Sequence, residues 1–327
     1  MNSEKHRKKA FAALLSVLSN SSLVISKLII GLLIGSVAVI SEAIHSGLDL
    51  LASFIALVAV RTAGKPADEA HPFGHGKFEN ISGVIEAVLI FVAAAWIIYE
   101  AVHKILSPAP LTLIGWGVVV MLTSAAVNYL VSRFLFKVAE ETESVALKAD
   151  GWHLRTDVYT SAGVMAGLAI IIVAQRLFGK ELLWLDPVAA IMVAALILRA
   201  ALRLTIYSAG DLLDTRLPTE EEQLICDHVI SQIPLVRGFH ALRTRKAGAK
   251  RFIEFHLLVE PNMSVEDSHG ITETVSKQIE EHFPDAYITI HIEPCDGNCT
   301  PECVAGCWFI KKKSSDPGRT AEEGRAK

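Results

Sequence analysis

His45 and Asp49 stand four residues apart inside the apolar run "EAIHSGLDLLASF", and His153 and Asp157 repeat that spacing in "DGWHLRTDVYTSAGV". On a helix, residues i and i+4 share a face, so each pair presents an imidazole and a carboxylate together. A carboxylate at the centre of a membrane helix costs roughly 2.5–3.5 kcal/mol on insertion scales. Such groups face a partner or an ion path rather than lipid. A single pair also has a bland reading, a structural hydrogen bond. Two pairs at equal spacing instead build a four-ligand N2O2 set. Tetrahedral nitrogen and oxygen coordination suits Zn²⁺ at about 2.0–2.2 Å, whereas octahedral all-oxygen sites favour Mg²⁺, Ca²⁺ or Mn²⁺. A ligating imidazole must be neutral and a carboxylate ionised, so metal and protons compete for the same atoms. A site open to each side in turn would exchange a divalent cation for protons.

Other groups have the right chemistry with weaker spacing. "PADEAHPFGHGKFE" offers Asp68, His71 and His75 on a stretch that Pro72, Gly74 and Gly76 keep out of a regular helix. Three N/O ligands leave a position open for water; the bland alternative is a solvated link between two helices. Glu42 and Glu86 read as a helix-end group reaching water and a buried hydrogen-bonded group, not as metal ligands. "CDGNCTPECVAGC" spaces Cys295, Cys299, Cys303 and Cys307 four apart. Thiolates there would capture Zn²⁺, Cd²⁺ or Cu⁺; otherwise the tail is flexible and its thiols do nothing specific. Cys226 reads as buried on a helix, and His228 and His282 as solvated.

The elements that must hold these residues follow from hydropathy. Hydrophobic residues make up 51% of 327, high for a soluble chain. Six segments approach the ~20 apolar residues needed to span a bilayer: 11–33, 37–60, 81–101, 112–136, 154–175 and 185–206. Gly35 and Ser36, "RTAGKPADEAHPFGHGK", "SPAP" and the charged run "KVAEETESVALKADG" separate the first five. Gly31 with Gly35, and Gly163 with Gly167, have the GxxxG spacing of close helix contacts. Lys5, Arg7, Lys8 and Lys9, then Arg61, Lys65 and Lys77, then Arg133, Lys137 and Lys148 crowd one side, which places both termini in the cytoplasm. No cleavable signal pattern is evident.

After Tyr207 the chain turns polar. Its pattern reads as helix, two strands about the Ala247–Gly248 turn, a helix capped by Ser264, and a last strand. This αββαβ order contains a split βαβ unit and suits a ferredoxin-like domain. The fold class is thus a membrane all-α six-helix domain followed by a small α+β cytoplasmic domain. The domain divisions are 1–10, a cytoplasmic N-terminal segment; 11–207, the six spans; 208–295, a metal-binding domain; and 296–327, a flexible Cys-containing tail.

Composition excludes some functions. A net charge of −4 gives no basic field for nucleic acid. Four cysteines bunched near the end are no disulfide framework. An intramembrane zinc protease would carry HExxH, which does not occur here. A membrane metal sensor without an ion pathway remains an alternative to transport.

"HSGLD", "HLRTD", the loop "HPFGHGKFE" and the appended αββαβ domain together resemble the cation diffusion facilitator family, in particular its bacterial zinc/iron efflux pumps, over about residues 10–295. The resemblance implies a homodimeric metal–proton antiporter of the inner cell membrane, with no organic cofactor. It places a metal site on Asp68, His71 and His75. It implies a binuclear zinc site, structural or regulatory, from His240, His256, His269, His291 and Glu293, near the dimer interface. It also pairs Lys77 with Asp214 to stabilise the dimer. Within the family, His rather than Asp at position 45 goes with zinc selectivity, with Cd²⁺, Fe²⁺ and Co²⁺ as the broader alternatives. Glu293 stands where Asp is the family residue, and the cysteine tail beyond Cys295 departs from the pattern.

Overall fold

A computed structural model describes residues 2–34, 37–106, 115–178, 185–231 and 235–295, with the side chains of Glu42, His45, His228 and other residues within the helices outside the description. The chain divides into two compact units after Leu212.

The first unit holds α1 (Asn2–Ile34), α2 (Val37–Ala63), α3 (Lys77–Leu106), α4 (Gly115–Thr142), α5 (Val145–Phe178) and α6 (Leu185–Leu212). Runs of Ala, Leu, Ile and Val carry these helices, and Pro187 falls in the first turn of α6, where its missing N–H costs nothing. The stretches Glu4–Ile30, Lys77–His103 and Ala190–Leu212 are each long and apolar enough to cross a membrane. The polarity is that of a lipid-facing bundle: Leu33, Ile206, Trp96 and Leu130 lie exposed, while Ser16, Asn20, Ser53, Glu86, Ser132 and Asp150 are buried. In hydrocarbon, polar groups gain by turning inward to one another.

α1 lies along α2, α3 along α6 and α4 along α5, and α5 also touches α2 and α3. Alanines let the backbones close up: Ala12, Ala13, Ala59 and Ala146 in one core, Ala87, Ala94, Ala149 and Ala201 in another. A methyl group added at Gly163 would meet Val193 at 2.5 Å, so α5 and α6 need glycine there.

The charged run "KVAEETESVALKADG", expected to be a connection, is almost wholly helical. α4 continues to Thr142 and α5 starts at Val145, leaving only Glu143 and Ser144 between them. Ala, Leu, Glu and Lys favour helix whatever their charge. Glu143 makes the break in the left-handed region, at φ 52°. Helix also extends the first span back to Asn2 and the sixth forward to Leu212.

The second unit holds α7 (Thr219–Ser231), β1 (Gly238–Ala247), β2 (Lys250–Val259), α8 (Val265–His282) and β3 (Tyr287–Pro294). The αββαβ order is as expected. The strand order is β1-β2-β3, with β1 antiparallel and β3 parallel to β2. The βαβ unit is therefore not split: β2 and β3 are direct neighbours, and β1 pairs with the other edge of β2. Gly248, at φ 59°, supplies the hairpin turn. Ser264 caps α8 by accepting from the Asp267 amide at 3.0 Å, and its hydroxyl donates to the Asp267 carboxylate at 2.6 Å. Phe239, Ile253, Phe255 and Leu257 pack with Ile271, Val275 and Ile279 of α8 on one face of the sheet. The alternate residues, His240, His256 and Leu258, are left to the other face.

Candidate metal centres

In the first unit, α2 and α5 bring Asp49, His153 and Asp157 together, with one ligand atom of each within 4.8 Å of the others. His153 Nε2 lies 3.2 Å from Asp49 Oδ1. Two ligands about 2.0–2.1 Å from a tetrahedral zinc are separated by roughly 3.3 Å, so this contact has the length of a coordination edge. Asn128 on α4 donates to Asp157 Oδ2 at 3.5 Å. His45 sits in α2 one turn before Asp49, and its side chain is outside the described residues.

Two regular stripes form this contact. Ser46, Asp49 and Ser53 follow i, i+3, i+7 on α2, and Asp150, His153 and Asp157 do the same on α5. A second rung lies one turn from the first: Ser53 donates to Asp150 at 2.8 Å, while Asn20 donates to Ser53 at 2.7 Å and Ser16 meets it at 3.0 Å. Sequence reasoning missed Asp150, because the charged segment around it was read as a connection. Its signal was the i, i+3 spacing to His153.

The link between α2 and α3 gathers Asp68, His71 and His75. His71 donates its amide to Asp68 Oδ1 at 2.7 Å, and its Nδ1 lies 3.3 Å from the same oxygen. His75 Nε2 lies 3.3 Å from Asp68 Oδ2. His75 Nδ1 is 3.1 Å from the Pro66 carbonyl. Donating there leaves the Nε2 lone pair free toward the carboxylate, the arrangement of a ligating imidazole. The His71 amide holds the Asp68 carboxyl below its ordinary value. Gly74 closes the turn at φ 84°.

In the second unit, the register aligns His240 with His256 and His256 with His291 across three strands. Glu293, two residues beyond His291, shares their face. A bulge between His240 and Arg243, with Ala241 at φ 53°, bends β1 just past His240. Glu293 reaches His240 Nε2 at 3.2 Å, His256 Nδ1 at 2.9 Å and His291 Nε2 at 3.7 Å. His256 Nδ1 is nonetheless buried without a hydrogen bond. One ligand atom each of His240, His256 and Glu293 lies within 4.8 Å of the others. The donor set fits a divalent metal.

Residues 13–213 match the family model described as the cation efflux transmembrane domain, and 217–295 that of the cation efflux protein's cytoplasmic domain. The chain belongs to the cation diffusion facilitator family. An uncharacterized transporter of Synechocystis sp. is 37% identical over 262 residues, 80% of this chain and 83% of that protein. The cation-efflux pump FieF of Cronobacter sakazakii is 33% identical over 295 residues, 90% of this chain and 96% of the relative. Among solved structures, the zinc form of the putative zinc transporter CzrB is 32% identical and covers 27% of this chain and 98% of its own, with a TM-score of 0.24. This cation diffusion facilitator is thus a multi-pass membrane protein of a divalent-cation efflux family, a transporter rather than an enzyme.

His269 stands on α8, exposed and 3.4 Å from Glu273, away from the His240–His256–Glu293 face within one protomer. Lys77 opens α3 in the first unit. Asp214 belongs to the second, 3.6 Å from Arg245. Cys295 is half-buried, its amide donating to the Val259 carbonyl at 2.9 Å; Cys299, Cys303 and Cys307 lie outside the described residues. Cys226 is buried, as expected.

Proposed function

We propose that this protein exports Zn²⁺ in exchange for H⁺ through a site built from His45, Asp49, His153 and Asp157, acting as a homodimer with both termini in the cytoplasm. The observation that carries the reading is the 3.2 Å approach of His153 to Asp49 between two membrane helices, with Asp157 beside them. Two carboxylates and imidazole nitrogen offer the dication a neutralising, partly soft shell. Protonating the same atoms releases it. The transported ion is cargo, so the centre must be accessible and reversible, which suits groups that titrate over zinc.

Asp68, His71 and His75 form a second, more open site suited to capture or regulation. His240, His256 and Glu293, joined by His291 and by His269 in the dimer, would hold resident zinc in the cytoplasmic domain. Bound there, the metal supplies positive charge that draws the carboxylate and imidazoles together. The cysteine tail adds a capture site, and deleting residues 296–327 lowers bound metal while transport persists.

The test is flux. Purified protein in liposomes under an imposed pH gradient is given Zn²⁺, Cd²⁺, Fe²⁺, Co²⁺ or Mn²⁺. Zinc moving fastest, with opposite proton flow, supports the proposal. Binding without flux would identify a sensor; equal flux of several metals would remove the zinc preference.

A further inference from the structure

Glu86 in α3 and Asp150 in α5 are fully buried, and neither belongs to the metal clusters among the described residues. Each has one satisfied and one orphaned oxygen. Glu86 Oε1 accepts from Ser82 at 3.1 Å and Asp150 Oδ1 from Ser53 at 2.8 Å, while Glu86 Oε2 and Asp150 Oδ2 are buried without a hydrogen-bond partner. His153 Nδ1, the ring nitrogen not turned to Asp49, is orphaned as well.

Helix packing sets these groups at one level. A methyl group at Gly83 would meet Val145 at 3.0 Å, and one turn on, Ala87 and Ala149 share a core. Glu86 and Asp150 are the chain neighbours of that last pair. Glu86 lies within electrostatic reach of Asp150 and His153, and Asp150 within that of His153 and Asp49. From α1, the neutral Ser16 and Asn20 bond to Ser53, the hydroxyl that donates to Asp150. Two buried carboxylates are costly to ionise together, and a proton on one of them relieves both. Among the described residues neither carboxylate joins a cluster of three or more ligand groups, and a proton is the cation that neutralises a buried carboxylate one at a time.

We infer that Glu86 and Asp150 form a proton-carrying carboxylate pair beside the transport site, distinct from the metal ligands. The inference rests on the zinc–proton exchange proposed above. When the dication binds at Asp49, His153 and Asp157, its charge expels a proton from the pair. When the dication leaves, the pair takes a proton up from the opposite side. The titratable groups facing the pair are Asp49 from α2 and His153 from α5.

The test measures zinc and proton movement together in proteoliposomes for wild type, Glu86→Gln, Asp150→Asn and the double variant. The expected result is zinc movement down its own gradient in every case, with protons per zinc falling at least about twofold in the double variant, since the pair supplies one of up to two protons balancing a dication. A parallel calorimetric count of protons released on zinc binding, in buffers of different ionisation enthalpy, should fall likewise and needs no turnover. Unchanged proton counts in a folded double variant overturn the pair alone. Wild-type zinc flux without proton counterflow overturns the exchange reading and the pair with it. If Asp150→Asn does not fold, Glu86→Gln alone decides, through the same two counts.

Discussion

His153 Nε2 on α5 lies 3.2 Å from Asp49 Oδ1 on α2, 104 residues away in the chain. The contact has the length of a coordination edge and no lipid-facing purpose. Asp49→Ala or Asp157→Ala should therefore reduce zinc flux in proteoliposomes to the level of empty vesicles while size-exclusion chromatography still reports a dimer. Wild-type flux from either variant would remove the intramembrane site.

Lys9 and Glu79 form a buried pair at 2.8 Å, and Ser144 donates to the other Glu79 oxygen at 2.5 Å. Removing one partner strands the other's charge. Lys9→Met should destabilise the protein by about 3–5 kcal/mol, and Lys9→Met with Glu79→Leu by clearly less. Denaturation in detergent measures both, and a double variant no more stable than the single would refute the pairing.

Glu293 is the group common to the three strand histidines. Glu293→Gln keeps the shape but removes the charge, and should weaken zinc binding at the cytoplasmic centre by at least the roughly 10-fold that losing an outer-shell partner costs. Competition with a fluorescent chelator on a protein lacking the transport site, the loop site and the cysteine tail reads this directly, and an unaltered affinity would exclude Glu293 as a ligand.

Asp68 provides a pH prediction. Its carboxyl is held below the ordinary carboxylate value, chiefly by the His71 amide. The folded value is depressed, so the stabilisation is fully present above the unfolded value and is lost as pH falls through the folded one. Carboxyl NMR should give Asp68 a midpoint below that of an unstructured peptide. His71→Ala, which keeps the amide, should retain most of the depression; a complete return would assign the effect to the ring instead.

Much of this was legible in sequence because its causes are local. Six apolar runs, a polar αββαβ tail and two His-x3-Asp pairs each follow from neighbours within a few turns. The charged run at residues 137–151 was misread for the same reason: its charges resembled a loop, whereas its helix propensity ruled. The adjacency of β2 and β3 was likewise open, because strand order depends on which edge of β2 takes β1, a choice made by packing.

The residue types and their spacing determined that imidazoles and carboxylates would share helix faces, and the strand alternation that His256 would oppose Phe255. Only the tertiary structure decided which faces met. It set α2 against α5 so that Asp49 found His153, and aligned three strands so that Glu293 served their histidines. Those contacts join residues tens of positions apart, and burial of the surrounding alanine-rich and leucine-rich surfaces, not any local signal, fixes their registers.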